Sequence, residues 1–309
     1  MHVPVLLSET LDLLVTNPAG IYIDGTLGRG GHATEILKRL TPAGRLIGLD
    51  RDIEAIQRTE EVLKPFGEQA QRLHGNFADM KELCEQIGVT EVDGVLLDLG
   101  VSSPQLDVAE RGFSFGRDGP LDMRMDQTQG RSVADWVNEE DEQILADVIY
   151  RFGEERDSRR IARAIVKARE GQRIERTLEL AEIVERAKGG RRGPTHPATK
   201  TFQALRMAVN AELESLETGL EAGLAMLKEG GRMAVITFHS LEDRMVKEFF
   251  KRHTVKRESL QQGGERLVVD EPAVRLINKK PLIASKEECT ENPRSRSAKL
   301  RVAQRENAA

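Results

Sequence analysis

Asp24-Gly25-Thr26-Leu27-Gly28-Arg29-Gly30-Gly31-His32 follows a short apolar run, Gly20-Ile21-Tyr22-Ile23, and precedes a helical pattern through Ala33, Ile36, Leu37 and Leu40. A strand, a glycine-rich turn and a helix in that order form a loop for a nucleotide-type cofactor. Glycine lets the backbone approach a ligand that a Cβ would exclude, and the helix N-terminus offers unpaired N–H groups. Twenty residues past Gly30, Asp50 closes a second apolar run, Leu46-Ile47-Gly48-Leu49. An acid so placed accepts hydrogen bonds from the two ribose hydroxyls of an adenosine.

The loop admits two cofactors. Gly28-Arg29-Gly30-Gly31-His32-Ala33 fits the dinucleotide pattern G-x-G-x-x-A, with an acid at the expected distance. Asp24 to Gly30 equally fits the (D/E)-x-G-x-G-x-G loop of S-adenosylmethionine (SAM) methyltransferases, with Thr26 at the first glycine. SAM has no pyrophosphate, and Asp24 would then sit near its cationic methionine moiety. Spacing alone leaves both readings open, together with that of a plain tight turn.

The first hundred residues alternate between strand and helix patterns. Strands are predicted at 21–24, 45–50, 71–75 and 92–99, and helices at 31–40, 53–63 and 77–87. Such alternation predicts a parallel, doubly wound α/β sheet that binds ligands at the carboxyl ends of its strands. The glycine loop, Asp50, Asn76 and Asp98 all fall at such ends. Residues 101–131 then lose all period, and 132–190 read as successive amphipathic helices, opened by a capping box at Ser132-Val133-Ala134-Asp135. After the linker Gly189 to Pro194 a long helix over 200–227 leads to a strand at 232–238 and a helix at 241–251, with one or two strands near 267–269 and 300–302. The expected organisation is one discontinuous sheet domain, 1–105 with 201–309, interrupted by an irregular loop and an inserted all-helical domain over 106–200.

A length of 309 residues with 39% hydrophobic content suffices for such a core. No run is long enough to span a bilayer, and no basic segment precedes Val5-Leu6-Leu7, so a cytoplasmic protein is expected. Cys84 and Cys289 are far apart and share no metal-ligand spacing; no metal is predicted. The net charge of −5 conceals an asymmetry: residues 151–200 and 251–309 each carry 14 Lys and Arg against 8 Asp and Glu, leaving −17 on the rest. Two basic segments are compatible with a nucleic-acid partner and equally with solvated helix faces.

Val95-Leu96-Leu97-Asp98-Leu99-Gly100-Val101-Ser102-Ser103-Pro104 places Asp98 at a strand end, beside the site of a methyl donor. Methylating an exocyclic amine meets a definite difficulty, because the nitrogen lone pair is delocalised into the ring. Acceptors that hydrogen-bond the amine protons favour its rehybridisation as positive charge develops. Asp98 is the candidate for this catalytic task, with Ser102, Ser103 and the carbonyls of the turn beside it. The alternative is that Asp98 caps a turn or helps bind the cofactor.

The chain closely resembles the bacterial 16S ribosomal RNA cytosine-N4 methyltransferases, the MraW family. The resemblance is carried by His2 to Leu7, Asp24 to His32, Leu96 to Asp107, Arg111 to Phe115 and Gly119 to Met125. It continues through His196 to Ala204, Phe238 to Arg244 and Asn292 to Ser297. It implies a class I SAM-dependent methyltransferase, Rossmann-like with an inserted helical domain, that releases S-adenosylhomocysteine. The implied target is a cytosine in the decoding region of 16S rRNA, position 1402 in rRNA numbering, presented as rRNA or as the small ribosomal subunit. By the same resemblance Gly30, Gly31, His32, Asp50, Phe77, Asp98 and Gln105 contact SAM, and Gln105 enters only in this way. The D-P-P-Y motif of many amino-methyltransferases is replaced by Asp98-Leu99-Gly100-Val101, which leaves the amine-proton acceptor open. With no aromatic close behind Asp98, Phe113 or Phe115 is the candidate to stack on the base, or else to plug the space between domains. Arg191, Arg192, Arg294 and Arg296 are candidate phosphate contacts. The competing functions are an NAD-dependent dehydrogenase and an RNA-binding ribosome-assembly factor; a monomer and a homodimer both stay open.

Overall fold

In the computed structural model, which describes residues 4–191, 193, 195–259, 265–268 and 271–306, the βα alternation of the first hundred residues is realised directly. Helix α1 (Leu7–Leu14) leads to β1 (Ile21–Asp24), α2 (Gly31–Arg39), β2 (Arg45–Asp50), α3 (Ile53–Leu63), β3 (Ala70–His74), α4 (Met80–Glu85) and β4 (Val92–Asp98). Six helices follow: α5 (Ser103–Asp107), α6 (Val133–Glu139), α7 (Glu142–Gly153), α8 (Ser158–Arg169), α9 (Thr177–Ala187) and α10 (Thr199–Val209). Helix α11 (Glu212–Met226) returns the chain to β5 (Leu227–Thr237) and α12 (Ser240–Arg252). The hairpin β6 (Lys256–Ser259) and β7 (Glu265–Val268) comes next, then β8 (Val274–Leu276), β9 (Leu282–Ile283), α13 (Lys286–Glu291) and β10 (Lys299–Arg305).

The main sheet runs β3-β2-β1-β4-β5-β10-β8, with β9 also on β10. Strands β1 to β5 are parallel, and β10 runs antiparallel against both β5 and β8. The strand sequences explain the burial. Ile23, Ile47, Leu49, Val95, Leu97, Met233 and Val235 enter one core, while their neighbours Tyr22, Leu46, Leu96, Ala234 and Ile236 enter the other. Successive side chains of a strand point to opposite faces, so a sheet covered on both sides needs an apolar residue at nearly every position. Helices α4, α11 and α12 cover the first face, and α1, α2 and α3 the second. Each fully buried Leu or Ile contributes about 1.5–3 kcal/mol through this burial.

The chain forms two compact units, residues 1–100 with 214–309 and residues 101–213. The second unit has its own core, built on Val133, Val137, Leu145, Ile149, Ile161, Ile165, Leu180, Val184, Phe202 and Leu205. Its first helix after the irregular stretch opens as its sequence predicts: Ser132 N–H donates to Asp135 Oδ2 at 3.0 Å, and Asp135 N–H to Ser132 Oγ at 3.2 Å.

Two expectations are corrected. The irregular stretch 101–131 contains the short helix α5. The single helix over 200–227 is two helices, α10 and α11, parted at Asn210-Ala211, where Ala211 takes φ of 47°. The cause is Asn210, 2% exposed, which spends its amide on other partners. Its Nδ2 donates to Met123 O (2.7 Å) and Arg206 O (2.9 Å), and its Oδ1 accepts from Met125 N–H (2.8 Å). The apolar period runs on through this point, so no break is visible in the sequence. Strand β5 also starts five residues earlier than expected, with a register shift in its pairing between Val92 and Gly94. Val269, placed in a predicted strand, and Arg192 lie outside the described residues.

Candidate active site

The glycine loop is folded around the ends of three strands. Gly25 N–H donates to Leu96 O of β4 and Leu27 N–H to Leu49 O of β2, each at 2.9 Å, so the loop spans both neighbours of β1. Gly28 N–H donates to Asp50 Oδ2 at 2.7 Å and Asp52 N–H to Asp50 Oδ1 at 2.8 Å. These bonds hold the carboxylate while leaving each oxygen a lone pair. Gly30, at φ of 73°, caps α2 in the left-handed region that glycine reaches without strain. At Gly25 a Cβ would stand 2.6 Å from Leu97 Cδ2 and 3.0 Å from Phe77 Cβ, so the backbone comes close to its neighbours only as glycine. Phe77 thereby stands beside the loop, at the start of the turn after β3.

Asp24 and Asp98 end adjacent strands and are joined by one side chain. Thr26 N–H donates to Asp24 Oδ1 at 3.2 Å, and Thr26 Oγ1 accepts the Asp98 N–H at 2.7 Å. His32, 6% exposed, faces them from the first turn of α2. Its Nε2 lies 3.1 Å from Val5 O, a pure acceptor, so Nε2 carries the proton and the Nδ1 lone pair faces Asp98 Oδ2 at 3.5 Å.

Burial dominates the electrostatics here. It pushes Asp24 up to about 7, with the charge of Asp50 adding to the effect. It pushes Asp50 up to about 6 and His32 down to about 4. Asp98 is raised well above the usual carboxylate range by burial and by the neighbouring charges of Asp24 and Glu242. With His32 lowered in this way its imidazole is neutral, so its contact with Asp98 is not an ion pair. Among the described residues no Lys or Arg pairs with Asp24 or Asp98, and Asp98 Oδ1 is buried without a hydrogen-bond partner. Buried acceptors of this kind call for a ligand that brings positive charge and hydrogen-bond donors.

A sequence model of the MraW methylase family matches residues 1–306. The chain belongs to the MraW methylase family. Similar relatives include proteins named ribosomal RNA small subunit methyltransferase H from Hydrogenovibrio crunogenus and Geobacter sulfurreducens. The first is 49% identical over 98% of this chain and 96% of the relative, and the second 49% identical over 98% of each. The protein of the same name from Acinetobacter baylyi is 48% identical over 98% of this chain and 99% of its own length. Membership decides between the two cofactors that the loop admits: this is a SAM-dependent methyltransferase of class I fold, and the dehydrogenase reading falls. The site fits that cofactor, because Asp24 and the orphaned oxygen of Asp98 are uncompensated acceptors suited to a sulfonium and an ammonium group.

The first unit of this MraW-family chain thus brings together Asp24, Gly30, Gly31, His32, Asp50, Phe77 and Asp98. Ser102, Ser103 and Gln105 belong to the second unit, in and ahead of α5. There the Gln105 side-chain carbonyl accepts the Ser102 N–H at 2.9 Å, closing a capping box. Phe113, 6% exposed, is taken up by the core of the second unit with the Arg111 guanidinium 5.8 Å from its ring centre. So buried a ring exposes little surface to a base. Phe115 is half-buried, its ring centre 4.5 Å from that of His196 and 4.7 Å from that of Phe202. Arg191, Arg294 and Arg296 are exposed, the last two on a short 3-10 turn before β10.

Two contributors escaped sequence reasoning. Thr26 ties the loop to Asp98, and the only trace of this is a hydroxyl residue where the motif has glycine. Glu242 caps α12, accepting the Phe238 N–H at 2.9 Å, and sends its charge toward Asp98. His239 stands 2.9 Å from Glu242 Oε1 without hydrogen-bonding geometry at its Nε2. It caps the same helix.

Proposed function

We propose that this protein transfers the methyl group of SAM to the exocyclic N4 of a cytosine in the decoding region of 16S rRNA. The observation that carries this reading is Asp98: a half-buried carboxyl at the end of β4, fixed through its own N–H by Thr26, with one oxygen buried and without a hydrogen-bond partner. When bound, SAM supplies an electrophilic methyl group on a sulfonium and leaves as S-adenosylhomocysteine. The amine nitrogen would gain the methyl group and give up one proton to solvent water, with Asp98 accepting a hydrogen bond from the amine as positive charge develops there. Asp98 is the acceptor that orients the amine protons; Thr26 Oγ1, accepting the Asp98 N–H, holds it in position, and His32 lies beside it as a further contact of the cofactor. Ser102 and Ser103, on the chain just past Asp98, are further candidate contacts for the amine.

On this reading Asp50 takes the ribose hydroxyls and Phe77 lies against the adenine. Asp24, Gly30 and Gly31 line the methionine moiety, and Gln105 contributes from α5. The relatives named for small-subunit rRNA support the substrate class. The helical second unit and the exposed Arg191, Arg294 and Arg296 supply RNA contacts, and the site of action is the cytoplasm. The test is mass-spectrometric mapping of small-subunit rRNA from cells lacking the gene, complemented by wild type or by Asp98→Ala. The expected result is one cytosine that lacks its N4-methyl group and regains it only with wild type. Full methylation under Asp98→Ala would favour an assembly factor instead.

A further inference from the structure

Helix α8 is charged in a way that weakens it as a helix. It carries Arg159, Arg160, Arg163, Lys167 and Arg169 and no acid. Cations in its first turn oppose the positive end of the helix dipole, and like charges three and four residues apart repel. Its orientation is fixed from the other side. Ile161, Ala162 and Ile165 are buried in the core of the second unit, and Arg169 turns inward to donate to Val137 O (2.9 Å) and Glu140 O (2.7 Å). Arg159, Arg160, Arg163 and Lys167 consequently share the exposed face, and Arg156 is exposed just ahead of the helix. From Arg159 to Lys167 the stripe extends about 12 Å at the helical rise per residue.

Few carboxylates answer these charges. Arg160 meets Asp157 at 3.3 Å, and Arg163, its side chain 77% exposed, reaches Glu142 only at 3.6 Å. Among the described residues Arg156, Arg159 and Lys167 form no ion pair. Glu170 is the one exposed acid next to the C-terminal end of the helix. A face that needed only solvation would intersperse acids, as α3 does with Glu54 against Arg58.

We propose that this face of α8 binds the phosphate backbone of RNA; this rests on the reading of the protein as an rRNA methyltransferase. A lipid surface fits less well, because a membrane-bound amphipathic helix must offer its apolar face and that of α8 is buried. A protein partner fits less well too, since none of the exposed residues of α8 is apolar and nothing there would anchor a desolvated interface. Side chains that contact phosphates hold the RNA without reading its sequence.

The experiment measures the affinity of the full-length protein for transcribed small-subunit rRNA across a salt series. It compares wild type with the variant Arg156→Gln, Arg159→Gln, Arg163→Gln, Lys167→Gln, since glutamine preserves helix propensity. A control variant replaces Lys38, Arg58, Lys64 and Arg252 of the first unit by glutamine, removing the same charge elsewhere. The slope of log affinity against log salt should fall by about 3 in the α8 variant, at about 0.7 for each phosphate that is no longer neutralised. It should not move in the control, and SAM affinity by calorimetry should be equal in all three. Wild type and α8 variant with the same slope overturn the stripe while leaving RNA binding standing. No binding by wild type, either to the transcribed rRNA or to the small ribosomal subunit, removes the rRNA reading and the stripe together. Loss of wild-type retention on phosphatidylglycerol vesicles in the variant, with RNA affinity unchanged, reassigns the face to lipid and overturns the proposal.

Discussion

Asp24 and Asp50 hold their protons far above the ordinary carboxylate value of 3.8, to about 7 and about 6. The folded chain therefore binds protons that the unfolded chain has released. The stability this contributes is full below about 4 and is lost as pH rises through about 6 and about 7. His32 runs the other way: lowered to about 4, it contributes stability present above its ordinary 6.5 and lost as pH falls through about 4. Above about 6.5 the carboxyls act alone, so the cofactor-free protein should lose stability between pH about 6.5 and about 7.5 in urea titrations. A cationic ligand favours the ionised acids, so SAM should bind more tightly at pH about 7.5 than at about 5.5 by calorimetry. Asp24→Asn should flatten this dependence; a wild-type affinity indifferent to pH would remove Asp24 from the methionine site. Asp50→Ala should weaken SAM by about 1–3 kcal/mol, the scale for hydrogen bonds to a charged group. Unaltered affinity would sink the ribose role.

Asn210 does at the level of elements what Thr26 does in the site: a short polar side chain decides where the backbone goes. Asn210→Ala would leave Met125 N–H and Met123 O buried without their partner and should destabilise the protein by about 2–4 kcal/mol, read from urea unfolding. Ala211→Gly should stabilise by about 0.5–1 kcal/mol, because relief of the left-handed conformation exceeds the entropy that glycine adds to the unfolded chain. A null effect would mean that neighbouring contacts, rather than φ, carry the strain. Periodicity is blind to such devices. It located β1, β2 and α3 to the residue because a doubly covered sheet and a half-buried helix each repeat one apolar rule over several positions. Asp24, Asp50 and Asp98 were legible for a related reason, since each is an acid terminating an apolar run. Thr26 and the Asn210 junction depend on hydrogen bonds to residues distant in sequence, and Glu242 acts on Asp98 through its charge across the fold. Phe113, which the sequence left open between stacking on a base and plugging a space, is seen to be buried only in the three-dimensional core.

On the scale of the whole molecule, two compact units with separate cores form two cooperative units, so unfolding is not described by a single free energy. Of the residues proposed for SAM, Asp24, His32, Asp50, Phe77 and Asp98 all lie in the first. A ligand that binds only the folded form stabilises it by about 2.7 kcal/mol at a hundredfold excess over Kd. At about 2–4 °C per kcal/mol for a unit of this size, that is a rise of about 5–10 °C. Differential scanning calorimetry with S-adenosylhomocysteine should therefore resolve two transitions and move the one that belongs to the first unit by this amount. The transition of the second unit should stay at its ligand-free position, since none of the acidic strand ends lies in that unit. If neither transition moves with the ligand at saturating concentration, the assignment of the acidic strand ends to the cofactor fails. If only the second moves, the cofactor lies among residues of the helical unit, and Asp98 loses the role proposed for it.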